Sequence, residues 1–221
     1  MMDNFMVDPA PKRSRRDTAA ARREQILDAA CDMIFERGYE RLSMTEIGAA
    51  VGVSGPAIYR HFASKADILA VLCDQTIDRL IEFVGPRRHT ATAELEALVR
   101  GQVRLVIAYP KLVRVFEDEE RSLPFAIRRG IRRREREHAA RWVRVLRLLR
   151  PTARFAELEM LVFSAVGMIL SVPRWPKPLQ TEADLEDQLE ASAWRILGRA
   201  TTSLGDDEVT AGERAAGEDH S

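Results

Sequence analysis

Apolar residues recur every three or four positions through most of the chain, and no stretch shows the two-residue alternation of a strand. The pattern predicts an all-α protein. Ile26, Leu27, Ala30, Met33 and Ile34 form one stripe of a first helix over 18–37, with Gly38 as a left-handed cap. Ser43-Met-Thr-Glu46 has the form of a capping box: the serine hydroxyl accepts the third backbone N–H and the glutamate reaches back. It opens a short second helix over 44–51, followed by Gly52, which can take positive φ. Ser54 is placed to cap a third short helix with Gly55 and Pro56 in its first turn, ending near Phe62. Ser64 then opens a fourth, with Asp67 favourable to the dipole of its first turn.

Two short helices joined by a glycine-containing turn over 44–61 make a helix-turn-helix pattern, although an ordinary corner of a helical bundle satisfies the same spacing. Farther along, 127–150 predicts a long helix whose apolar meridian holds Ile127, Ile131, Trp142, Val145 and Leu149. Arg134, His138 and Arg141 share that meridian, while most other arginines fall on different faces. Two last helices are expected over 152–172 and 181–203, separated by Pro173, Pro176 and Pro178. The uninterrupted apolar run 160–172 is 13 residues, below the roughly 18 of a membrane span, and is expected to be buried on more than one side.

The 221 residues, 46% hydrophobic and 31% charged, have the balance of a globular protein with a sizeable core. With 34 basic and 34 acidic residues the net charge is zero, which by itself argues against a nucleic-acid binder. That average hides strong segregation. Residues 12–23 carry net +5, residues 128–154 net +9, and the tail 205–221 net −5. The resulting organisation is a disordered basic arm over 1–17, a helix-turn-helix domain over 18–65, a larger body over 66–204 and a disordered acidic tail over 205–221.

Catalytic and metal chemistry find little footing. Cys31 and Cys73 lie in apolar helical patterns and read as small hydrophobes. Two cysteines and four scattered histidines do not make a zinc spacing, and no P-loop, GxGxxG, GxSxG or HExxH occurs. No metal and no cofactor is expected, the chain is not expected to be an enzyme, and without an apolar leader at residues 1–11 a cytoplasmic location is the expectation.

Residues 23–69 carry Ile26-Leu27-x-x-Ala30, Gly38-Tyr39, Thr45-x-Ile47, Gly52-Val53-Ser54 and Ile58-Tyr59-x-His61-Phe62-x-x-Lys65-x-x-x-Leu69. This stretch resembles the DNA-binding domain of the TetR family of transcriptional repressors. The resemblance implies a three-helix DNA-binding head on a helical body that binds a small ligand and pairs as a homodimer through its last two helices, as a palindromic duplex operator requires. It further implies that Tyr59, His61 and Lys65 contact phosphates and that Thr45 adds a contact. The residue types at the start of the third helix are suited to base edges. Gly55, Pro56 and Ala57, after Ser54, are small enough for close backbone approach, Pro56 and Ala57 offer apolar surface to thymine methyls, and Arg60 can pair bidentately with guanine.

In the body, Arg134 and His138 pose a question, because a buried charge needs a partner. An internal carboxylate, for example from Glu117-Asp118-Glu119-Glu120, satisfies the requirement. So does an anionic ligand, such as an acyl-coenzyme A or lipid-like acid, lying among Tyr109, Phe116, Trp142 and Phe163. The expected function is a dimeric repressor released from its operator by such a ligand, with no membrane role. A ligand-independent activator or architectural DNA binder is the alternative.

Overall fold

The computed structural model describes residues 15–198, so the expected tail, nearly all of the expected arm and the last residues of the final helix lie outside the described residues. Ten α-helices follow in order: α1 Arg15–Arg37, α2 Met44–Ala50, α3 Gly55–Ile58, α4 Lys65–Val84, α5 Ala91–Ala108, α6 Pro110–Glu119, α7 Phe125–Leu149, α8 Phe155–Ser171, α9 Lys177–Gln180 and α10 Leu185–Leu197. No strand occurs among the described residues. The helix α1 already runs from Arg15, inside the segment expected to be an arm.

The first four helices close around Ile26, Leu27, Ile34, Ile47, Ile58 and Leu69, all nearly or fully buried. Gly38 ends α1 at φ +81°. Gly52 makes the α2–α3 turn at φ +68°, a conformation that L side chains rarely adopt. The serine caps are corrected in part. Ser64 does accept from the Asp67 N–H at 3.2 Å. Ser43 and Ser54 make no side-chain cap, and Glu46 turns instead to Arg37 at 3.5 Å, so the capping box is not formed. The C-terminal end of α2 gains a different partner, the Arg22 guanidinium, which donates to the Val51 carbonyl at 2.6 Å.

A second core fills the body, built from α5, α7, α8 and α10 around Leu98, Val103, Trp142, Leu146, Ala165 and Ala193. The head core does not stop at the domain boundary. Val115 and Phe116 of α6 and Ile131 of α7 belong to it. The helix α6 is therefore wedged between head and body, and Glu119 at its end accepts the Tyr39 backbone N–H at 3.1 Å.

The helix α8 departs from expectation. Its apolar character reaches past the 13-residue run despite Glu157 and Glu159: Phe155–Arg174, with mean hydropathy 1.8, is long and apolar enough to cross a membrane by length and composition. Only 28% of it is buried. One side packs on the body through Leu158, Val162, Ala165 and Ile169, whereas Phe155, Met160 and Phe163 are exposed. It is buried on one side, not several.

Candidate nucleic-acid interface and body cavity

The short α3 projects from the head because its inner side is anchored. Ile58 and Phe62 are buried, and the Arg23 guanidinium lies 4.5 Å over the Phe62 ring. The turn continues past the helix through Arg60 N–H to Ala57 O and His61 N–H to Ile58 O, at 3.2 and 2.9 Å. This leaves Thr45, Ser54, Pro56, Tyr59 and Arg60 exposed and His61 and Lys65 half-buried beside them. Tyr59 is 56% exposed, unusual for a tyrosine without an outside partner. Gly55 opens the helix.

Two residues sit differently from the sequence reading. Ala57 is turned inward beside Ile58 and is 9% exposed, so it has little methyl surface to offer a thymine. The Lys65 ammonium donates to the Tyr39 and Glu40 carbonyls at 3.4 and 3.2 Å and lies 4.5 Å from the Tyr39 ring centroid. It caps the turn after α1 and has one of its three donors left for an outside acceptor.

A cavity of about 420 Å³ lies in the body among α4–α8, lined in part by Phe116, His138, Trp142 and Phe163. Its volume is that of a small-molecule site. Tyr109 is not among its walls. That residue joins α5 to α6, packs on Phe83 and holds Arg79 over its ring. Arg134 is outside as well. Its guanidinium pairs with Asp74 at 2.8 Å and with Asp78, both on α4. The internal-carboxylate alternative therefore describes Arg134, but with acids from α4 in place of those at the end of α6. Glu120, one of the acids proposed for it, takes Arg132 in a two-pronged pair at 2.8 Å for each contact.

His138 does face the cavity, but as a neutral group. Trp142 Nε1 donates to its Nε2 at 3.0 Å. Burial, aided by the nearby Arg141 charge, depresses its pKa to about 4. The polar lining of the cavity thus includes the neutral imidazole and three further groups, Gln102, Glu117 and Glu135, of which only Glu117 was a candidate from the sequence. Gln102 is only 2% exposed and lines the cavity, and its side chain makes no hydrogen bond to another described residue. Glu117 and Glu135 stand at the mouth, still touching solvent. Partial desolvation, reinforced by neighbouring carboxylates, raises both above the usual carboxylate range. Cys73 is buried with its thiol pKa pushed up to about 12, and Cys31 is half-buried, which leaves both inert. No cluster of three metal-ligating side chains occurs among the described residues.

Comparison with known proteins accounts for this division of labour. The 33% identity to the HTH-type transcriptional activator FasR of Mycolicibacterium smegmatis extends over 87 residues, 39% of this chain and 40% of that protein. The HTH-type transcriptional repressor KstR2 of Rhodococcus jostii is 30% identical over 108 residues, 47% of this chain and 52% of that protein. The chain thus spans about half or less of the curated relatives it matches. The crystal structure of AibR in complex with isovaleryl coenzyme A and operator DNA has the same fold, with a TM-score of 0.69 and 23% identity over 80% of this chain and 98% of that one. Residues 26–72 match the family described as bacterial regulatory proteins of the tetR family, and residues 88–195 match the tetracyclin repressor-like C-terminal domain. With head and body each matched to its own half of one architecture, the chain belongs to the TetR family.

Proposed function

We propose that this chain is a sequence-specific DNA-binding transcriptional regulator, not an enzyme, acting in the cytoplasm as a dimeric repressor. It leaves a palindromic operator when the body takes up a small, partly apolar ligand with an anionic portion, such as an acyl-coenzyme A. One observation carries the DNA half: Pro56, Tyr59 and Arg60 are exposed together on the four-residue helix α3 and the turn that continues it, anchored from behind by Ile58 and Phe62. Such a projection enters a major groove, where Arg60 reads base edges and Tyr59 and His61 hold phosphates. One head reads one half-site, so a palindrome calls for two copies. The exposed apolar side of α8 is the face to which the second copy is assigned.

Ligand response rests on α6. Phe116 both lines the cavity and belongs to the head core. A ligand that moves Phe116 displaces a residue on which α1 and α4 rest. It changes DNA affinity only to the extent that it prefers the displaced state. The test is fluorescence anisotropy of duplexes taken from upstream of the chain's own coding region, with and without lauroyl-coenzyme A. Saturable binding that the ligand weakens is expected. The second reading, a ligand-independent activator or architectural binder, draws on the likeness to an activator and predicts binding that the ligand leaves unchanged.

A further inference from the structure

The outer face of α7 and Arg87, from the connection between α4 and α5, border an open depression short of acids. A groove of about 520 Å³ is lined by Arg87, Arg133, Arg136, Arg141 and Arg144 with Glu137 as its one carboxylate. Of these arginines, Arg141 is committed to the buried Glu94 at 2.5 Å, and Arg133 touches Glu137 only at 3.9 Å. Arg87, Arg136 and Arg144 have no carboxylate partner among the described residues, and all three are exposed. Arg136 Nε donates to the Arg132 carbonyl at 3.1 Å, which aims the side chain and leaves the rest of its fork open. Like charges held in one concavity repel, and a polyanion relieves that repulsion while accepting forked N–H donors.

Position gives this groove its meaning. Arg136 also lines the body cavity, so the arginine groove and the cavity share this side chain as a common wall. Beyond Arg136 the lining offers Trp142, Phe116, neutral His138 and the Gln102 amide, with Glu117 and Glu135 at the mouth and the second lining cation, Arg132, held by Glu120. Inside, the chemistry suits an apolar arm carrying an uncharged carbonyl or amide. Outside, it suits several phosphate charges.

We infer that the groove of Arg87, Arg133, Arg136 and Arg144 is the phosphate-binding part of the effector site, and that the effector is an acyl ester of a phosphorylated carrier whose acyl arm fills the cavity. This builds on the ligand-responsive reading above and relocates the anion recognition from Arg134 to the outer face of α7. Its volume of about 520 Å³ lies in the range of small-molecule sites. A phosphorylated head on an apolar tail also describes a phospholipid, so the source has to be resolved by experiment.

Binding is measured without DNA, by intrinsic tryptophan fluorescence and calorimetry on the full chain, so the result does not depend on operator recognition. The probes are lauroyl-coenzyme A, coenzyme A, lauric acid and phosphatidic acid vesicles. The variants are R133A/R144A and, as a control for loss of positive charge elsewhere on the same helix, Arg147→Ala, an exposed α7 arginine outside the groove. Lauroyl-coenzyme A should bind at least tenfold tighter than lauric acid. R133A/R144A should lose at least tenfold for lauroyl-coenzyme A with unchanged affinity for lauric acid, and R147A should match the parent. The inference is overturned if R133A/R144A binds lauroyl-coenzyme A like the parent, if lauric acid binds equally well, if R147A loses as much as the double variant, or if only the vesicles bind. DNA binding that lauroyl-coenzyme A does not alter would instead refute the ligand-responsive reading, whatever the groove binds.

Discussion

Gly101→Ala sets two effects of known size against each other. Gly101 lies in the middle of α5 and is buried against the end of α4. In an isolated helix, alanine would gain about 1 kcal/mol over glycine. In this protein the new Cβ would stand 2.5 Å from Val84 Cγ2, 2.8 Å from Val84 N and 2.9 Å from Val84 Cα. Two of those atoms are backbone and cannot rotate away, so α4 and α5 must separate. Overpacking of this kind costs about 1–3 kcal/mol. Set against the propensity gain this leaves a net loss of up to about 2 kcal/mol, and the melting temperature should fall by up to about 4–8 °C, taking about 2–4 °C per kcal/mol for a domain of this size. Gly130→Ala in α7 is the control, because its Cβ would meet nothing within 4 Å. There the propensity gain stands alone, and the melting temperature should rise. Differential scanning calorimetry at fixed protein concentration reads both. A rise for Gly101→Ala equal to that for Gly130→Ala would refute the argument that the α4–α5 approach requires glycine. Because α4 carries the head, the same variant should also weaken operator binding beyond its loss of stability.

Other consequences follow from single contacts. Arg134→Ala removes pairs with Asp74 and Asp78, which are 50% and 64% exposed. It should cost only about 1 kcal/mol in chemical denaturation and leave ligand affinity unchanged. Met160→Asp places a charge on the exposed side of α8, where Met160 is 59% exposed. If a second copy covers that face, dimer dissociation in sedimentation equilibrium should strengthen by about a hundredfold or more, with the monomer fold intact. His138 has its pKa depressed to about 4 from 6.5, so between those values the unfolded chain binds the proton and the folded chain does not. Its contribution is full above pH 6.5 and is lost as the pH falls toward 4, by at most about 3 kcal/mol. Glu117 and Glu135, with raised pKa values, act in the opposite sense. The difference in urea midpoint between the parent and His138→Gln across that range isolates the histidine.

The head was largely legible because its elements are short and punctuated: Gly38, Gly52 and Ser64 mark ends that the structure keeps. Periodicity also put Ile58 and Phe62 on the inner side of α3. It misjudged Ala57, since four residues barely define a face, and it could not show that Glu46 prefers Arg37 to a capping role. In the body, the period of α7 correctly turned Trp142, Val145 and Ile131 inward. A helical period gives the direction of a side chain and not what it meets. The acids that hold Arg134 lie 60 and 56 residues away on α4, and nothing local points to them. Gln102 went unnoticed for the same reason. A lone glutamine among valines and leucines reads as a minor break in an apolar stripe until the cavity beside it is known.

The central claim is that two copies of the α3 projection read a palindrome. It is tested most directly by selecting bound duplexes from a randomised pool at physiological salt with the parent chain and with Arg60→Ala. The account predicts enrichment of a two-fold symmetric site whose half-site centres lie about one helical turn or a small multiple apart. Arg60→Ala should lose about 1–3 kcal/mol and relax one position in each half-site. Recovery of asymmetric or unenriched sequences, or an Arg60→Ala profile identical to the parent's, would contradict it.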